Sequence, residues 1–194
     1  MQKTLENLAK AFAGESMARN RYTSFAKIAK KEGYEQIADA LLMTADNERE
    51  HASWNLKLIN ALKAGATGNA DEIHLEATIE TSLGDTPANL KAAIAGEHYE
   101  TTTMYPEFAD VADSEGLPEI AKRLRAIGVA EGQHEQRNKK MLAQVEAGTF
   151  FKKDQKVEWV CRECGYVHID QEPPEKCPAC DHDRAYYQLR CEEY

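Results

Sequence analysis

Glu48 and His51 stand three residues apart, as do Glu131 and His134, so each pair shares one face of a helix. A lone glutamate precedes each pair, Glu15 before the first and Glu97 before the second. Carboxylate and imidazole presented together suit a first-row metal such as iron or manganese. A single Glu-x-x-His is weak evidence: with 23 Glu in 194 residues, a histidine meets one at that position about once in eight by chance. Chance does not supply the duplication. Ala11, Ala13, Gly14 and Glu15 recur 82 residues later as Ala93, Ala95, Gly96 and Glu97. Tyr22, Phe25, Ala26, Glu32, Gly33, Ile37, Ala38, Glu48 and His51 recur 83 residues later as Tyr105, Phe108, Ala109, Glu115, Gly116, Ile120, Ala121, Glu131 and His134. One structural unit has been copied, and two copies facing each other supply what a two-iron carboxylate site needs.

Charge arithmetic refines this reading. Carboxylates inside a helix bundle are costly unless cations neutralise them. Two ferrous ions bring four positive charges, matching Glu15, Glu48, Glu97 and Glu131. Glu100 lies three residues after Glu97 on the same face and has no acidic counterpart in the first unit. A fifth carboxylate suits an oxidised pair, because two ferric ions sharing a hydroxide carry five charges. Glu100 is therefore expected to bind metal mainly in the oxidised state. The offset changes from 82 to 83 between Glu97 and Tyr105, beside Glu100. A residue inserted into a continuous helix is usually taken up as a π-type turn, which the sequence predicts within residues 97 to 105. Tyr22 lies two turns after Glu15 on the same face, so its hydroxyl can hydrogen-bond a ligating carboxylate; Tyr105 is its copy. His74 and His98 have no copy and read as residues of the surface or the margin of the site.

A second constellation follows. Cys161-x-x-Cys164 and Cys177-x-x-Cys180 form two knuckles with 12 residues between them. Four thiolates at this spacing make a closed tetrahedral site for zinc or a single iron. Zinc would make the tail structural or partner-binding, whereas iron would carry one electron. A region of about 45 residues also depends on such a staple to fold. Cys191 is left over as a free thiol, and His182 has no assigned role.

Long helices must hold the first constellation. Thr4 can cap a first helix that runs to Glu32 and stops at Gly33, and a second runs from about Tyr34 to Ala64 and stops at Gly65. Residues 65 to 85, with Gly65, Gly68, Asn69, Gly84 and Asp85, break the pattern. Thr86 and Pro87 read as N-cap and first turn of a third helix ending at Gly116; Leu117 and Pro118 open a fourth that ends near Gly148. About 20 extended residues can span a helix of about 43 Å, so the middle link can cross the bundle and make the second and third helices parallel. Its apolar residues Ile73, Leu75, Ile79 and Leu83 are expected to pack on the bundle. The fold class is mainly α: a ferritin-like four-helix bundle with one long crossover over residues 1–149, then a small four-cysteine metal domain over residues 150–194. Phe150 to Lys156 reads as the joint.

Composition bounds the function. A net charge of −9 argues against nucleic acid and anionic membrane surfaces. No apolar run approaches the roughly 20 residues that span a bilayer. Met1 to Lys10 contains no apolar h-region, so no signal peptide is expected and the chain is placed in the cytoplasm. Thiols stay reduced there, which favours cysteines as ligands over disulfides.

With these motifs in this order, the chain resembles the rubrerythrins over nearly its full length. The resemblance rests on Glu15, Glu48-x-x-His51, Glu97-x-x-Glu100, Glu131-x-x-His134 and the rubredoxin-like knuckles from Cys161 to Cys180. It implies a non-haem di-iron peroxidase that reduces hydrogen peroxide to water, in protection against oxidative stress. It also implies electrons from NADH through a separate reductase, often with a small rubredoxin between, entering at the rubredoxin-like iron. A homodimer is implied too, with that iron of one subunit near the di-iron site of the other. By the resemblance Glu48 and Glu131 bridge the irons, Glu15, His51 and Glu100 serve one iron, and Glu97 and His134 the other. His51 and Glu100 exchange as ligands on redox change. Two departures are Asp181, where free-standing rubredoxins usually have glycine, and a shorter loop between knuckles. No nucleotide-binding loop is evident, so NADH is not expected to bind directly. The competing readings are a ferroxidase or iron-storage protein and a structural protein with a zinc-binding tail.

Overall fold

Gly33 and Gly116 take φ of 85° and 75°, a left-handed conformation that costs glycine nothing and ends a helix sharply. Each therefore folds its unit into a helix hairpin. The computed structural model describes residues 2–64 and 72–191. Helix α1 (Gln2–Lys31) pairs with α2 (Glu35–Ala64). In the second unit α3 (Thr86–Tyr99), a π-helical segment (Glu100–Met104) and α4 (Tyr105–Ser114) form one continuous rod that pairs with α5 (Pro118–Glu146). The π segment falls where the offset change predicts it.

Cross-bundle contacts fix the helix directions. Tyr22 reaches Glu97 and Tyr105 reaches Glu15, so α1 and the α3–α4 rod are antiparallel. Arg137 donates to Thr44 and His134 meets Asn47, so α2 and α5 are antiparallel as well. The second and third long helices are then parallel, as a crossover requires. Gly65, Gly68 and Asn69 lie outside the described residues. Of the link's apolar residues, Ile73 and Leu75 pack against the core. Ile79 and Leu83 do not: they are 60% and 64% exposed, which corrects the expectation for that half of the link.

The caps also differ from the sequence reading. Thr4 lies inside α1; its amide donates to the Glu115 carboxylate at 2.9 Å. Thr86 is the first residue of α3, and the N-cap is Asp85, which accepts from the Ala88 amide. The Thr86 amide donates to the Glu32 carboxylate at 2.9 Å. Glu32 and Glu115 are duplicates, and so are Thr4 and Thr86. The acid at the hairpin turn of each unit thus satisfies orphan donors at the start of the other unit's first helix, where a negative charge is also favoured. Glu32→Ala and Glu115→Ala are each expected to lower the melting temperature of the metal-free protein by about 2–4 °C. Thermal denaturation followed by circular dichroism checks this.

The core has two parts within the bundle, one around Leu8, Tyr105 and Leu124 and one around Phe25, Leu41 and Leu90, with the acidic residues between the two units. Gly128 lets the π-containing rod approach α5: a Cβ there would lie 3.1 Å from the Tyr105 Cβ.

The tail is a three-stranded antiparallel sheet of order β2-β1-β3, from β1 (Val157–Cys161), β2 (Val167–Asp170) and β3 (Tyr187–Leu189). A 3-10 turn (Arg184–Tyr186) precedes β3. Trp159, Cys161, Cys177 and Tyr187 make its buried centre. The joint is better anchored than its lysines suggest. Phe150 sits in the bundle core edge-on to Tyr34, while Phe151 stacks on Tyr34 and also packs against the tail's core. Arg162 bonds Asp39 on α2, and Ala185 lies against Gly33. The tail therefore docks at the α1–α2 turn. No helix among the described residues is long and apolar enough to cross a membrane.

Candidate metal centres

The duplicated acids and histidines converge in the middle of the bundle. Glu15, Glu48, His51 and Glu131 form one group, and Glu48, Glu97, Glu131 and His134 another; within each, one ligand atom per residue lies within 4.8 Å of all the others. Glu48 and Glu131 belong to both groups. His51 Nδ1 lies 2.8 Å from Glu131 and 3.0 Å from Glu48. His134 Nδ1 lies 2.8 Å from Glu131, 3.3 Å from Glu48 and 3.5 Å from Glu97. The two imidazole rings are 6.1 Å apart. Glu100 belongs to neither group, but its charge is the largest influence raising Glu15 after burial itself.

The hydroxyls of the duplicated tyrosines cross between units. Tyr22 donates to Glu97 and Tyr105 donates to Glu15. The sequence predicts a carboxylate partner for Tyr22 without naming it; the pseudo-twofold packing hands each tyrosine to the glutamate of the opposite unit. Asn47, which the sequence reading did not single out, accepts from His134 Nε2 at 3.2 Å and so leaves Nδ1 facing the carboxylates. Asn55 and Asn138, each one turn beyond a site histidine, are another duplicated pair that was missed. Both are fully buried with amide atoms that lack partners. Their 83-residue spacing was a usable signal. His98 pairs with Glu135 at 3.0 Å on the outside, and His74 is exposed.

The donor set fits metal ions. Buried, partnerless atoms include Glu15 Oε2, Glu48 Oε1, Glu97 Oε2, both Glu131 oxygens and His134 Nδ1. So many orphaned atoms converging in one place need cations or protons. Without metal, protons take that role. Burial and the charges of Glu100, Glu131 and Glu48 hold Glu15 well above the usual carboxylate range. Burial, with Glu97 and Glu131, does the same to Glu100. Burial, with Glu48 and Glu131, brings Glu97 to about 7 against its bond to His134. Burial alone would lower the histidines, but the adjacent Glu131 and Glu48 carboxylates outweigh it, raising His51 to about 9 and His134 to about 11. Metal ligation needs neutral imidazole and ionised carboxylate, so loading at pH 7 must expel protons. Apparent affinity for ferrous ion or zinc is expected to rise by at least about tenfold per pH unit between pH 6 and 8. Titration in weak buffer, reading proton release, checks this; an affinity independent of pH contradicts it.

In the tail, Cys161 and Cys180 sulfurs are 3.7 Å apart, and Cys164 and Cys177 sulfurs 3.6 Å. A tetrahedron with metal–sulfur bonds of about 2.3 Å has edges of about 3.8 Å, so the four thiols are set for a metal and too far apart for disulfides. The knuckles match in their backbone: Gly165 N donates to Cys161 O, and Asp181 N donates to Cys177 O. Gly165 takes φ of 78° and Asp181 φ of 58°, so the departure at 181 forces a side chain into the left-handed region. Asp181→Gly is expected to stabilise the tail by about 0.5–1 kcal/mol, read from the midpoint of chelator-induced unfolding. His182 Nδ1 meets Cys180 O at 3.2 Å, its ring against Tyr186, and Cys191 is exposed.

Fold and site together define a ferritin-like di-iron carboxylate protein with a rubredoxin-like tail. A bacterioferritin structure from Desulfovibrio desulfuricans, 20% identical over 75% of this chain and 81% of that one, has the same bundle fold with a TM-score of 0.65. The rubrerythrin family model matches residues 6–142, and the model described as "Rubrerythrin, rubredoxin-like domain" matches residues 159–188. A Methanocaldococcus jannaschii protein provisionally named a rubrerythrin is 59% identical over 100% of this chain and 96% of its own. The fully reduced, all-ferrous structure of nigerythrin is 33% identical, covers 96% of this chain and 86% of that one, and gives a TM-score of 0.64. The chain belongs to the rubrerythrin family. Its cofactors are accordingly two non-haem irons in the bundle and one iron among four cysteines.

Proposed function

We propose that the protein is a non-haem di-iron peroxidase. It reduces hydrogen peroxide to water with electrons that come from NADH through a separate reductase, directly or by way of a small rubredoxin, and that enter at the four-cysteine iron. One observation carries this reading: a single chain joins a carboxylate and histidine cluster with two ligand groups to a separate four-cysteine site. Turnover requires two electrons and two protons for each peroxide, giving two waters. The ferrous pair, when bound, supplies the two electrons and polarises the oxygens.

The chain's own residues do the rest. Glu48 and Glu131 would be shared by the two metals in this reading, which their membership of both groups supports. Glu15, His51 and, in the oxidised state, Glu100 serve one metal, and Glu97 and His134 the other. Tyr22 and Tyr105 hold Glu97 and Glu15 in place, and Asn47 fixes the His134 tautomer. Cys161, Cys164, Cys177 and Cys180 hold the third iron, on a unit that begins near residue 150.

The functional unit in this reading is a cytoplasmic homodimer. The tail docks at Asp39, 12 residues before His51 on α2 and so about 18 Å from it along the helix. In this reading electrons pass from the tail of one subunit to the bundle of the other.

Metal analysis with a coupled assay tests the proposal. Iron-loaded protein is expected to hold three irons per chain and to consume one peroxide per NADH when a rubredoxin reductase is supplied. Zinc in the tail of iron-loaded protein, or no NADH consumption above the reductase alone, contradicts it.

A further inference from the structure

A cavity of about 20 Å³ lies between α1 and the α3–α4 rod, directly against the metal site. Its inner wall includes Tyr22, Glu97 and Glu100. Arg21 also lines it, and its Nη1 pairs with Glu80 of the crossover link at 2.7 Å. Arg21 Nε and Nη2 are buried without partners. A space needs only about 10–15 Å³ to admit a water-sized molecule, provided polar partners are present.

Gly96 lines this cavity in the middle of a helix, where glycine is unfavourable relative to alanine. Crowding does not explain it, because a Cβ built there would meet no atom within 4 Å. Gly14, its copy beside Glu15, is equally open but does not line the cavity.

We propose that this cavity is the port through which a small oxidant, hydrogen peroxide, reaches the carboxylate cluster. Gly96 keeps the port open, and Arg21, paired with Glu80, lines it. The unpartnered Arg21 donors, with Glu97 and Glu100 in the same lining, suit a small molecule that both accepts and donates hydrogen bonds. The inference rests on the peroxidase reading for the identity of the ligand, and on the cavity alone for the route.

Gly96→Ala fills the port with one methyl group and, by helix propensity, should not weaken the fold. Gly14→Ala is the matched control outside it. Each iron-loaded protein is reduced anaerobically and mixed with hydrogen peroxide or with azide. Gly96→Ala is expected to keep the wild-type iron content and to slow both reactions by about tenfold or more, whereas Gly14→Ala leaves both rates unchanged. Arg21→Ala is expected to speed the reaction with the bulkier tert-butyl hydroperoxide. A crystal structure of the zinc-loaded wild type should show an ordered water beside Gly96 that Gly96→Ala lacks. Equal rates for wild type and Gly96→Ala with both probes overturn the port, as does equal slowing by Gly14→Ala. Slow oxidation of the wild type by peroxide would instead overturn the peroxidase reading, and the azide rates would still decide the port.

Discussion

Glu131→Ala is expected to weaken iron binding in the bundle by more than about a hundredfold while leaving the tail iron in place. Glu131 lies within reach of both histidines, at 2.8 Å from each, and belongs to both ligand groups. Both its oxygens are buried without hydrogen-bond partners. In the proposed arrangement its loss removes a ligand from each metal and leaves His51 and His134, both raised, facing fewer anions. Glu100 provides the contrast. It belongs to neither group, so Glu100→Ala is expected to retain both ferrous ions while changing the absorption spectrum of the oxidised site and lowering turnover. Iron analysis after gel filtration, with spectra before and after oxidation, separates the two variants. Equal iron loss in both would show that the groups are not organised around a shared Glu131.

Cys177→Ser is expected to lower NADH-driven peroxide turnover by about a hundredfold or more, because serine is a poor substitute for a thiolate on iron. Burial pushes the Cys177 thiol up, but the neighbouring Tyr187 hydroxyl and the Ala179 amide outweigh this and bring it to about 6. One thiol of the four is therefore prepared to ionise before metal arrives, while Cys164 and Cys180 are held up. The bundle's own chemistry should survive the change. In a single turnover, with the bundle irons reduced chemically in advance, Cys177→Ser should match the wild type. A turnover rate unchanged by Cys177→Ser would mean that electrons reach the bundle without the tail.

Much of this arrangement is legible in the sequence because duplication marks it. Two copies of a lone glutamate and a Glu-x-x-His, at matching offsets, single out the residues that the fold brings together. The shift in offset by one residue locates the π segment at Glu100–Met104. What duplication cannot tell is which copy faces which. Tyr22 shares a helical face with Glu15, yet the antiparallel packing of α1 on the α3–α4 rod delivers it to Glu97. The same crossing turns Glu32 and Glu115 into caps for the opposite unit, displacing the caps that local pattern assigns to Thr4 and Thr86. Asn47 was hidden for another reason: it has no copy, and its role depends on the gap between α2 and α5. Ile79 and Leu83 mislead because apolarity in a link says nothing about whether the chain lies flat on the bundle.

The ferrous pair is expected to be oxidised by peroxide in preference to dioxygen. Anaerobically reduced protein, mixed in a stopped-flow instrument with hydrogen peroxide or with oxygenated buffer, tests this directly through the absorbance of both iron centres. The account predicts fast oxidation of both centres by peroxide and slow oxidation by oxygen. Faster oxidation by oxygen than by peroxide would contradict it and favour a ferroxidase.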